Sequence, residues 1–396
     1  MKKNNLEKLL VKKSKLELGH EPSIFNLKLE KDRHSVQKLL TANKILSISD
    51  DYEEQLRELF GIRNPSWVYT PDFGAKFKLF HSSLKKEMSL AEHGRWAFYP
   101  WLGSLVHILP ENEFQLVRTA RNQNLITKEE QAKFYNATIG IAGLSIGNSV
   151  AMAITLQGGG RRIRLADMDR LALTNTNRVK AGIENLGALK AVITARQIYE
   201  MNPYAKVEIF ADGLTPKNIA RFFNGLDIIV DEIDNLAMKF LIREYAKKHR
   251  LAVVMAADNG DNSVVDVERY DLNPKTPFFH GRMGKVTYAQ LASLDKFGIG
   301  KMITRLVGPE NVTERMQQSL LEMGKTIVSW PQLGGAALMN GAAVAYCVRK
   351  IINGQPLESN RAILSLDEKL TPNYNSPTQR KRRAKVAATF KKIFGL

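Results

Sequence analysis

The chain has 396 residues, of which 44% are hydrophobic and 25% are charged, an ordinary globular composition that is long enough for two domains. A single cysteine excludes a disulfide framework. No run approaches 18 apolar residues, and the first lysines are not followed by an apolar segment, so we expect no transmembrane segment, no signal peptide and a cytoplasmic location.

The net charge of +18 is concentrated at the two ends. Residues 1–18 carry six lysines and two glutamates, and residues 378–396 carry seven lysines or arginines and no acid. We predict a basic tail over residues 378–396, for which a solvated segment is the simpler interpretation. Basic ends also bind phosphate backbones without sequence preference, so RNA or an anionic membrane surface remains a possible partner.

Residues 1–115 are predicted to form a mainly helical accessory region. Helical patterns cover residues 6–18, 34–46 and 50–60, the last ending at Gly61. The densest aromatic cluster of the chain follows at residues 95–102. We interpret it as a patch that packs against the domain that follows rather than as a site that stacks a ligand.

The stretch from Ile139 to Lys190 predicts the first βαβ unit of a nucleotide-binding domain. A short apolar strand leads into a turn at Gly143, a helix follows, and a second strand ends on Asp167. In such a unit the turn presents backbone N–H groups and a helix N-terminus to phosphates. The acid at the end of the second strand accepts hydrogen bonds from ribose hydroxyls.

Polar residues after this unit indicate which nucleotide is bound. Asn175, Arg178 and Lys190 follow within 23 residues of Asp167, and a later strand ends at the acids Asp231 and Asp234. A redox dinucleotide site does not need two cations and a spare carboxylate near its phosphates, whereas a site that cleaves a nucleoside triphosphate does. The glycine turn and Asp167 alone would also permit a nicotinamide-dependent oxidoreductase.

The order and spacing of these residues resemble the ThiF/MoeB/HesA family, the bacterial relatives of the ubiquitin-activating enzymes. The resemblance covers residues 116–271 and includes Ile233-Asp234-Asn235, with a late helix over residues 333–352. It implies an α/β fold with a Rossmann-like, mostly parallel sheet and helices on both faces. It also implies adenylation of a carboxylate, usually the C-terminus of a small protein or peptide, by ATP with Mg²⁺.

The resemblance implies specific roles for residues. Asp234 would ligate Mg²⁺, Arg178 and Lys190 would hold the triphosphate, and Asn175 would orient phosphate oxygens. Arg121 matches an arginine that enters the partner subunit's site, which implies a homodimer. The residues expected to contact the nucleotide are Gly143, Leu144, Ser145, Gly147, Asp167, Asp169, Asn175, Arg178, Lys190, Asp234 and Asn235.

Three departures from the family pattern affect these expectations. Ser145 and Asn148 replace glycines of the loop, and the β-branched Ile146 lies inside the turn, so the loop must take a different path. The cysteine pairs that bind zinc in many relatives are absent, so no structural zinc is expected. Cys347 lies in an apolar helix, so we predict a buried, inert thiol and chemistry that ends without a thioester.

The sequence thus predicts a region 1–115, an ATP-binding domain 116–270, its acceptor-side part 271–377 and the tail 378–396. Within the acceptor-side part, His280 and Arg282 are candidates for contacting the acceptor. Besides the nicotinamide-dependent oxidoreductase, two further alternatives to peptide adenylation remain. One is an RNA-modifying relative resembling the tRNA threonylcarbamoyladenosine dehydratases, which the basic ends favour. The other is a non-catalytic nucleotide-binding module, which the altered loop allows.

Overall fold

Two compact units make up the chain, one ending at Gln123 and the other beginning at Asn124. This computed structural model describes residues 19–395, so the helix predicted for residues 6–18 lies outside the described residues. The four predicted regions, with boundaries at 115, 270 and 377, stay a prediction.

The first unit is mainly helical, as predicted, and also contains a four-stranded sheet with the order β1-β3-β4-β2. Strand β2 pairs with β4 in parallel, and the other neighbours are antiparallel. The elements are β1 (Ser23–Phe25), α1 (Glu30–Thr41), β2 (Ser47–Ser49), α2 (Tyr52–Arg63), α3 (Phe73–Glu87), β3 (Arg95–Tyr99), β4 (Ser104–Ile108) and α4 (Glu111–Arg118).

The aromatic cluster at residues 95–102 provides the core of this small sheet. Trp96 and Phe98 lie in β3 and pack against Leu105 and Val36, all four buried. His107 of β4 is stacked between Tyr52 and Trp96. Aromatic residues favour half-buried strands, which explains why this cluster forms a strand and packs inside its own unit.

The second unit has a seven-stranded sheet with the order β11-β10-β9-β8-β5-β6-β7. Strands β5 to β9 are parallel, and β10 and β11 add an antiparallel edge. The strands are β5 (Thr138–Ala142), β6 (Arg162–Ala166), β7 (Lys206–Phe210), β8 (Ile228–Asp231), β9 (Ala252–Asn259), β10 (Asn262–Arg269) and β11 (Arg361–Leu364). The predicted α/β fold with a mostly parallel sheet is confirmed.

Helices cover both faces of this sheet, and every residue of β5 is buried because the strand is central. Helix α6 contacts both α7 and α13, whereas α8 packs against α9. The helices are α5 (Lys128–Asn136), α6 (Ile146–Leu156), α7 (Lys190–Met201), α8 (Ile219–Phe223), α9 (Leu236–His249), α10 (Tyr288–Ala292), α11 (Lys296–Val307), α12 (Glu314–Glu322), α13 (Gly334–Ile352), α14 (Leu366–Leu370) and α15 (Pro377–Phe394).

The segment predicted as a basic tail lies largely in α15. Phe390 is buried against α12 residues Met316 and Leu320, which fixes this helix to the second unit. Arg380, Lys381 and Lys385 remain exposed. Among residues 19–395, no helix is long and apolar enough to cross a membrane.

The strand order determines where a ligand can bind. The chain continues from β5 to β6 and β7 on one side, and then crosses to β8 and β9 on the other. A crevice forms at such a reversal, outside the carboxyl ends of the strands. The predicted site residues from Gly143 to Asn235 follow β5, β6 and β8 at this edge.

Candidate functional site

Gly143 directly follows β5 and adopts a positive φ of +85°. A Cβ atom at this position would lie 2.3 Å from the carbonyl oxygen of Glu232, the residue after β8. Only glycine therefore allows the ends of β5 and β8 to approach each other this closely.

Helix α6 begins at Ile146, immediately after this turn, and Ser145 is its N-cap. The Ser145 side chain makes no capping hydrogen bond to the first turn of α6, and its hydroxyl accepts a hydrogen bond from Arg178. An uncapped helix N-terminus is an anion site. Gly147 has a packing role as well, since a Cβ there would lie 3.0 Å from Ile141.

Asp167 connects the glycine turn to the end of β6. Its Oδ2 accepts the N–H of Leu144 at 2.6 Å, and its Oδ1 accepts the N–H of Asp169 at 2.7 Å. Burial raises the pKa of Asp167, and the charge of Lys190 and the two backbone N–H groups oppose that rise. Each carboxylate oxygen has a further lone pair, so this arrangement fits the expected contact with a ribose.

Lys190 begins α7 and is held beside the same strand end. Its Nζ forms an ion pair with Asp169 Oδ2 at 2.9 Å. The side chain of Lys190 is 8% exposed and that of Asp169 is 63% exposed. The cation is therefore fixed in the protein, while its acidic partner faces solvent and is open to competition from another anion.

Asn175 and Arg178 lie in the loop between β6 and α7. Asn175 Oδ1 accepts the N–H of Ala172 at 3.0 Å, which stabilises the turn, and its carbonyl accepts the N–H of Arg178. Arg178 Nε donates to Ser145 Oγ at 2.9 Å. Burial lowers the pKa of Arg178, and the charges of Asp258 and Asp234 oppose this, so the three charged side chains lie near one another.

The two acids that end β8 have different surroundings. Asp231 is fully buried and forms ion pairs with Arg243 and Lys239 of α9. Asp234, three residues later, is exposed beyond the strand end. Its neighbour Asn235 caps α9 by accepting the N–H of Met238 at 3.0 Å. Asp231 is therefore part of the core, and Asp234 is the acid available to a ligand.

Sequence reasoning missed Asp258, which ends β9 beside Arg178. Its carboxylate accepts hydrogen bonds from Asn340 Nδ2 at 2.5 Å and from Gln332 Nε2 at 3.0 Å. Burial raises the pKa of Asp258 to about 6, and the nearby charge of Asp234 adds to this rise. Asn340, a polar residue inside the apolar helix α13, was the signal in the sequence for a buried polar partner.

Three other candidates were predicted from the sequence. Arg121 is exposed in a short 3-10 helix of the first unit, and its role stays a prediction. His280 Nε2 lies 3.0 Å from the carbonyl oxygen of Val267, and Arg282 pairs with Asp266 at 3.4 Å. Since both have partners in the fold, nothing in these contacts singles them out as acceptor-binding residues.

A cavity of about 1100 Å³ opens beside Arg178. The loop that precedes α13 contributes Trp330 and Gln332, and Tyr374 also lines the cavity. The carbonyl oxygen of Gln332 accepts a hydrogen bond from Asn177 at 2.8 Å, which joins this loop to the Arg178 segment. The cavity therefore gives a second molecule access to Arg178.

The residues at this edge fit a nucleoside triphosphate. They provide an uncapped helix N-terminus, two cations from Arg178 and Lys190, and a carboxylate at the end of β6. Within residues 19–395 no group of three or more acidic, histidine or cysteine side chains is arranged to hold a metal ion. The exposed carboxylate of Asp234 is a ligand of the kind that Mg²⁺ uses, since Mg²⁺ binds through one or two carboxylates and substrate phosphates.

Comparison with known families identifies this arrangement. A sequence model of the ThiF family matches residues 118–388, a range that includes every predicted site residue. The chain belongs to the ThiF family. The predicted resemblance to ThiF, MoeB and HesA proteins is thereby confirmed.

Several curated relatives of this ThiF-family chain are similar over part of their length. The chain is 38% identical over 272 residues to an uncharacterized protein, MT1398, of Mycobacterium tuberculosis, covering 69% of this chain and 38% of that protein. It is 32% identical over 130 residues to tRNA threonylcarbamoyladenosine dehydratase of Escherichia coli, and this match covers 32% of this chain and 48% of that protein. It is 27% identical over 158 residues to a sulfur carrier protein adenylyltransferase of Thermus thermophilus, and this match covers 39% of this chain and 56% of that protein. Each match spans less than two thirds of the relative's length.

Proposed function

We propose that this chain uses ATP and Mg²⁺ to adenylate a carboxylate, giving an acyl-adenylate and pyrophosphate. The observation that carries the proposal is the pair of fixed cations, Arg178 and Lys190, beside the uncapped start of α6. Membership of the ThiF family and the similarity to a relative named as an adenylyltransferase support it.

The reaction forms a bond between a carboxylate oxygen and the α-phosphorus of ATP and breaks the bond from that phosphorus to the bridging oxygen. The electron pair of that bond leaves with pyrophosphate. Arg178 and Lys190 offset the charge that develops on the leaving group, and the N–H groups of α6 bind phosphate oxygens. Asp167 orients the ribose, Asn175 orients phosphate oxygens, and Asp234 ligates Mg²⁺. Positioning and electrostatic stabilisation account for most of such catalysis.

The carboxylate substrate is proposed to be the C-terminus of a small protein or peptide. The cavity that Arg178 lines has the volume for several residues of an extended chain. Its walls combine aromatic side chains such as Trp330 and Tyr374 with amides such as Asn259 and Gln332. This mixture suits a peptide, which offers both backbone polar groups and side chains.

The proposed chemistry ends without a thioester. Cys347 lies in α13, is only 7% exposed, and burial raises the pKa of its thiol to about 11. A thiol of this kind is a poor nucleophile at neutral pH. The acyl group would pass directly to an amine, a hydroxyl or another external acceptor.

Titration calorimetry and pyrophosphate exchange test the proposal. ATP with Mg²⁺ should bind, NADH should not, and Asp234→Ala should abolish exchange while circular dichroism remains that of the parent. Tighter binding of NADH would support the oxidoreductase alternative. ATP binding without exchange for any peptide carboxylate would support a non-catalytic module, and exchange at the parental rate in Asp234→Ala would exclude that residue as the metal ligand.

Arg121 is proposed to act in the partner subunit of a homodimer. A planar, permanently charged guanidinium suits phosphate oxygens, and such arginines contribute orders of magnitude to rate. Mixing Arg121→Ala with Asp234→Ala subunits, each inactive alone, should restore part of the activity because one site per heterodimer is intact. Continued inactivity after demonstrated subunit exchange would exclude action in trans.

An RNA substrate is the second candidate function. The exposed basic residues of α15 favour it, as does the similarity to a tRNA threonylcarbamoyladenosine dehydratase. Binding of tRNA should then weaken steeply with salt, and Arg380→Glu with Lys381→Glu should reduce it. Unchanged binding in this double variant would count against α15 as an RNA surface.

A further inference from the structure

Arg178 is held by three hydrogen bonds that its guanidinium donates. Nε donates to Ser145 Oγ at 2.9 Å, and Nη1 donates to Asn177 Oδ1 at 3.0 Å and to the carbonyl oxygen of Thr174 at 3.2 Å. Because the guanidinium is planar, these bonds also fix the direction of the remaining nitrogen, Nη2. Two of the acceptors belong to the loop of Arg178 itself. Ser145 is the acceptor that joins the side chain to the start of α6.

The side chain of Asn148 holds the backbone of the same loop. Its side chain is fully buried in the first turn of α6, and its Oδ1 accepts the N–H of Lys180 at 3.3 Å. Its Nδ2 donates to Gln197 Oε1 at 2.8 Å and to Thr194 Oγ1 at 2.9 Å. Gln197 Nε2 in turn donates to the carbonyl oxygen of Lys180. Both backbone polar groups of Lys180, two residues after Arg178, are thereby anchored to α6 and α7.

Ser145 and Asn148 are the two positions at which glycine is the expected residue of this loop, and glycine has no side chain to make either contact. We infer that Ser145 and Asn148 are positioning residues, which hold Arg178 beside the first-turn N–H groups of α6 so that both bind one anion. The inference rests on the proposed function for the identity of that anion, the phosphates of ATP. A cation that is already ordered loses less conformational freedom on binding, which favours affinity.

Restoring glycine provides the sharpest test. If the loop merely tolerates these side chains, Ser145→Gly and Asn148→Gly should bind ATP as well as or better than the parent. We expect weaker binding instead, by roughly tenfold for Ser145→Gly, which is the loss of about one hydrogen bond to a charged group. Equal or tighter binding in Ser145→Gly, in a variant with the parental melting temperature, overturns the inference.

A matched set of variants separates positioning from packing. Ser145→Ala should weaken ATP binding and raise KM more than it lowers kcat, and Ser145→Thr should restore most of the binding because it keeps the hydroxyl. Ser149→Ala is the control, since Ser149 lies on the same helix and its buried hydroxyl has no hydrogen-bond partner among residues 19–395. Equal weakening in Ser149→Ala, or no rescue by threonine, overturns the inference.

A measurement without ligand keeps this test independent of the proposed function. In a double-mutant cycle of melting temperatures, Ser145→Ala should cost less in an Arg178→Met background than in the parent. Additive losses would mean that the two side chains do not interact and overturn the inference. If the parent binds no ATP, the proposed function fails. Inorganic pyrophosphate then serves as the anion, and unchanged binding of it by Ser145→Ala would overturn the inference as well.

Discussion

Two groups of opposite charges lie at strand ends of the same sheet, and they differ in burial. Arg243, Asp231 and Glu268 are almost completely inaccessible, with Arg243 Nε donating to Glu268 Oε2 at 2.8 Å. Lys190 and Asp169 are joined by an equally short contact of 2.9 Å, but most of the Asp169 side chain is exposed. Distance alone would not distinguish the two groups.

Burial decides what each group can do. The charges of the inner group were removed from water when the chain folded, so each partner depends on the others, and no ligand can replace one of them. In the outer pair the charge of Asp169 is screened by solvent, although Lys190 itself is buried, so we expect this pair to be less stabilising than the inner group. Because Asp169 is exposed, we expect that a phosphate can displace it from Lys190, so the outer pair would suit binding and the inner group suits stability.

The largest effect should come from breaking the inner group. Arg243→Ala leaves Asp231 and Glu268 buried without their common partner, and we expect a loss of about 3–5 kcal/mol in the free energy of unfolding. Urea denaturation followed by circular dichroism measures this loss. Arg221→Ala is the matched control because its pair with Glu208 is exposed, and it should cost less than about 1 kcal/mol. Similar losses of unfolding free energy in Arg243→Ala and Arg221→Ala would mean that burial does not set the contribution of these ion pairs to stability.

Lys190→Ala should show the opposite behaviour. We expect pyrophosphate exchange to fall by roughly 10²–10³-fold, because a fixed charge near the leaving group is lost. The free energy of unfolding should fall by only about 1 kcal/mol, since Asp169 keeps access to water. Lys180→Ala, an exposed lysine of the same loop, is the control and should keep parental exchange. A large loss of unfolding free energy in Lys190→Ala, or pyrophosphate exchange at the parental rate, would mean that Lys190 serves stability as the inner group does.

The same distinction marks what the sequence could predict. The glycine turn, the strand that leads to Asp167 and the late helix follow from local patterns, and the structure contains each of them. Burial of individual acids does not follow from local patterns. In the sequence, Asp231 and Asp234 are both acids at the end of one strand, and Asp258 has the pattern of a turn residue. Their different burial cannot be predicted locally, because the residues that surround them come from distant segments. The contact of Ser145 with Arg178 was likewise beyond the sequence, since it joins two loops 33 residues apart.

In burial, Asp258 lies between the inner group and the outer pair, and the pH dependence of stability should reveal this. Its pKa is raised to about 6 by burial, so the native state favours the protonated form. The stabilisation from this group is therefore complete below about pH 4, the value for an unfolded aspartate, and is lost as the pH rises through about 6. Between pH 4 and 7.5 the parent should lose about 1–3 kcal/mol relative to Asp258→Asn.

Urea denaturation across this pH range measures the difference between the two proteins, which cancels contributions from other acids. Asp261→Asn changes an exposed acid of the same hairpin and should leave the slope unchanged. Parallel curves for the parent and Asp258→Asn would mean that Asp258 is ionised in the native state as readily as in the unfolded chain.

The smallest effect is expected at Cys347, whose buried thiol has no charged partner within residues 19–395. Cys347→Ala removes one sulfur atom from α13 and should cost about 1–2 kcal/mol of stability, with pyrophosphate exchange unchanged. Cys347→Ser should cost more, because it places a hydroxyl where the thiol is 7% exposed. Mass spectrometry under acidic conditions, after incubation with ATP and a peptide substrate, should find no adduct on Cys347. A thioester trapped on Cys347, or loss of pyrophosphate exchange in a folded Cys347→Ala protein, would show that this buried thiol takes part in the chemistry. Burial would then not separate the groups that serve stability from those that serve binding.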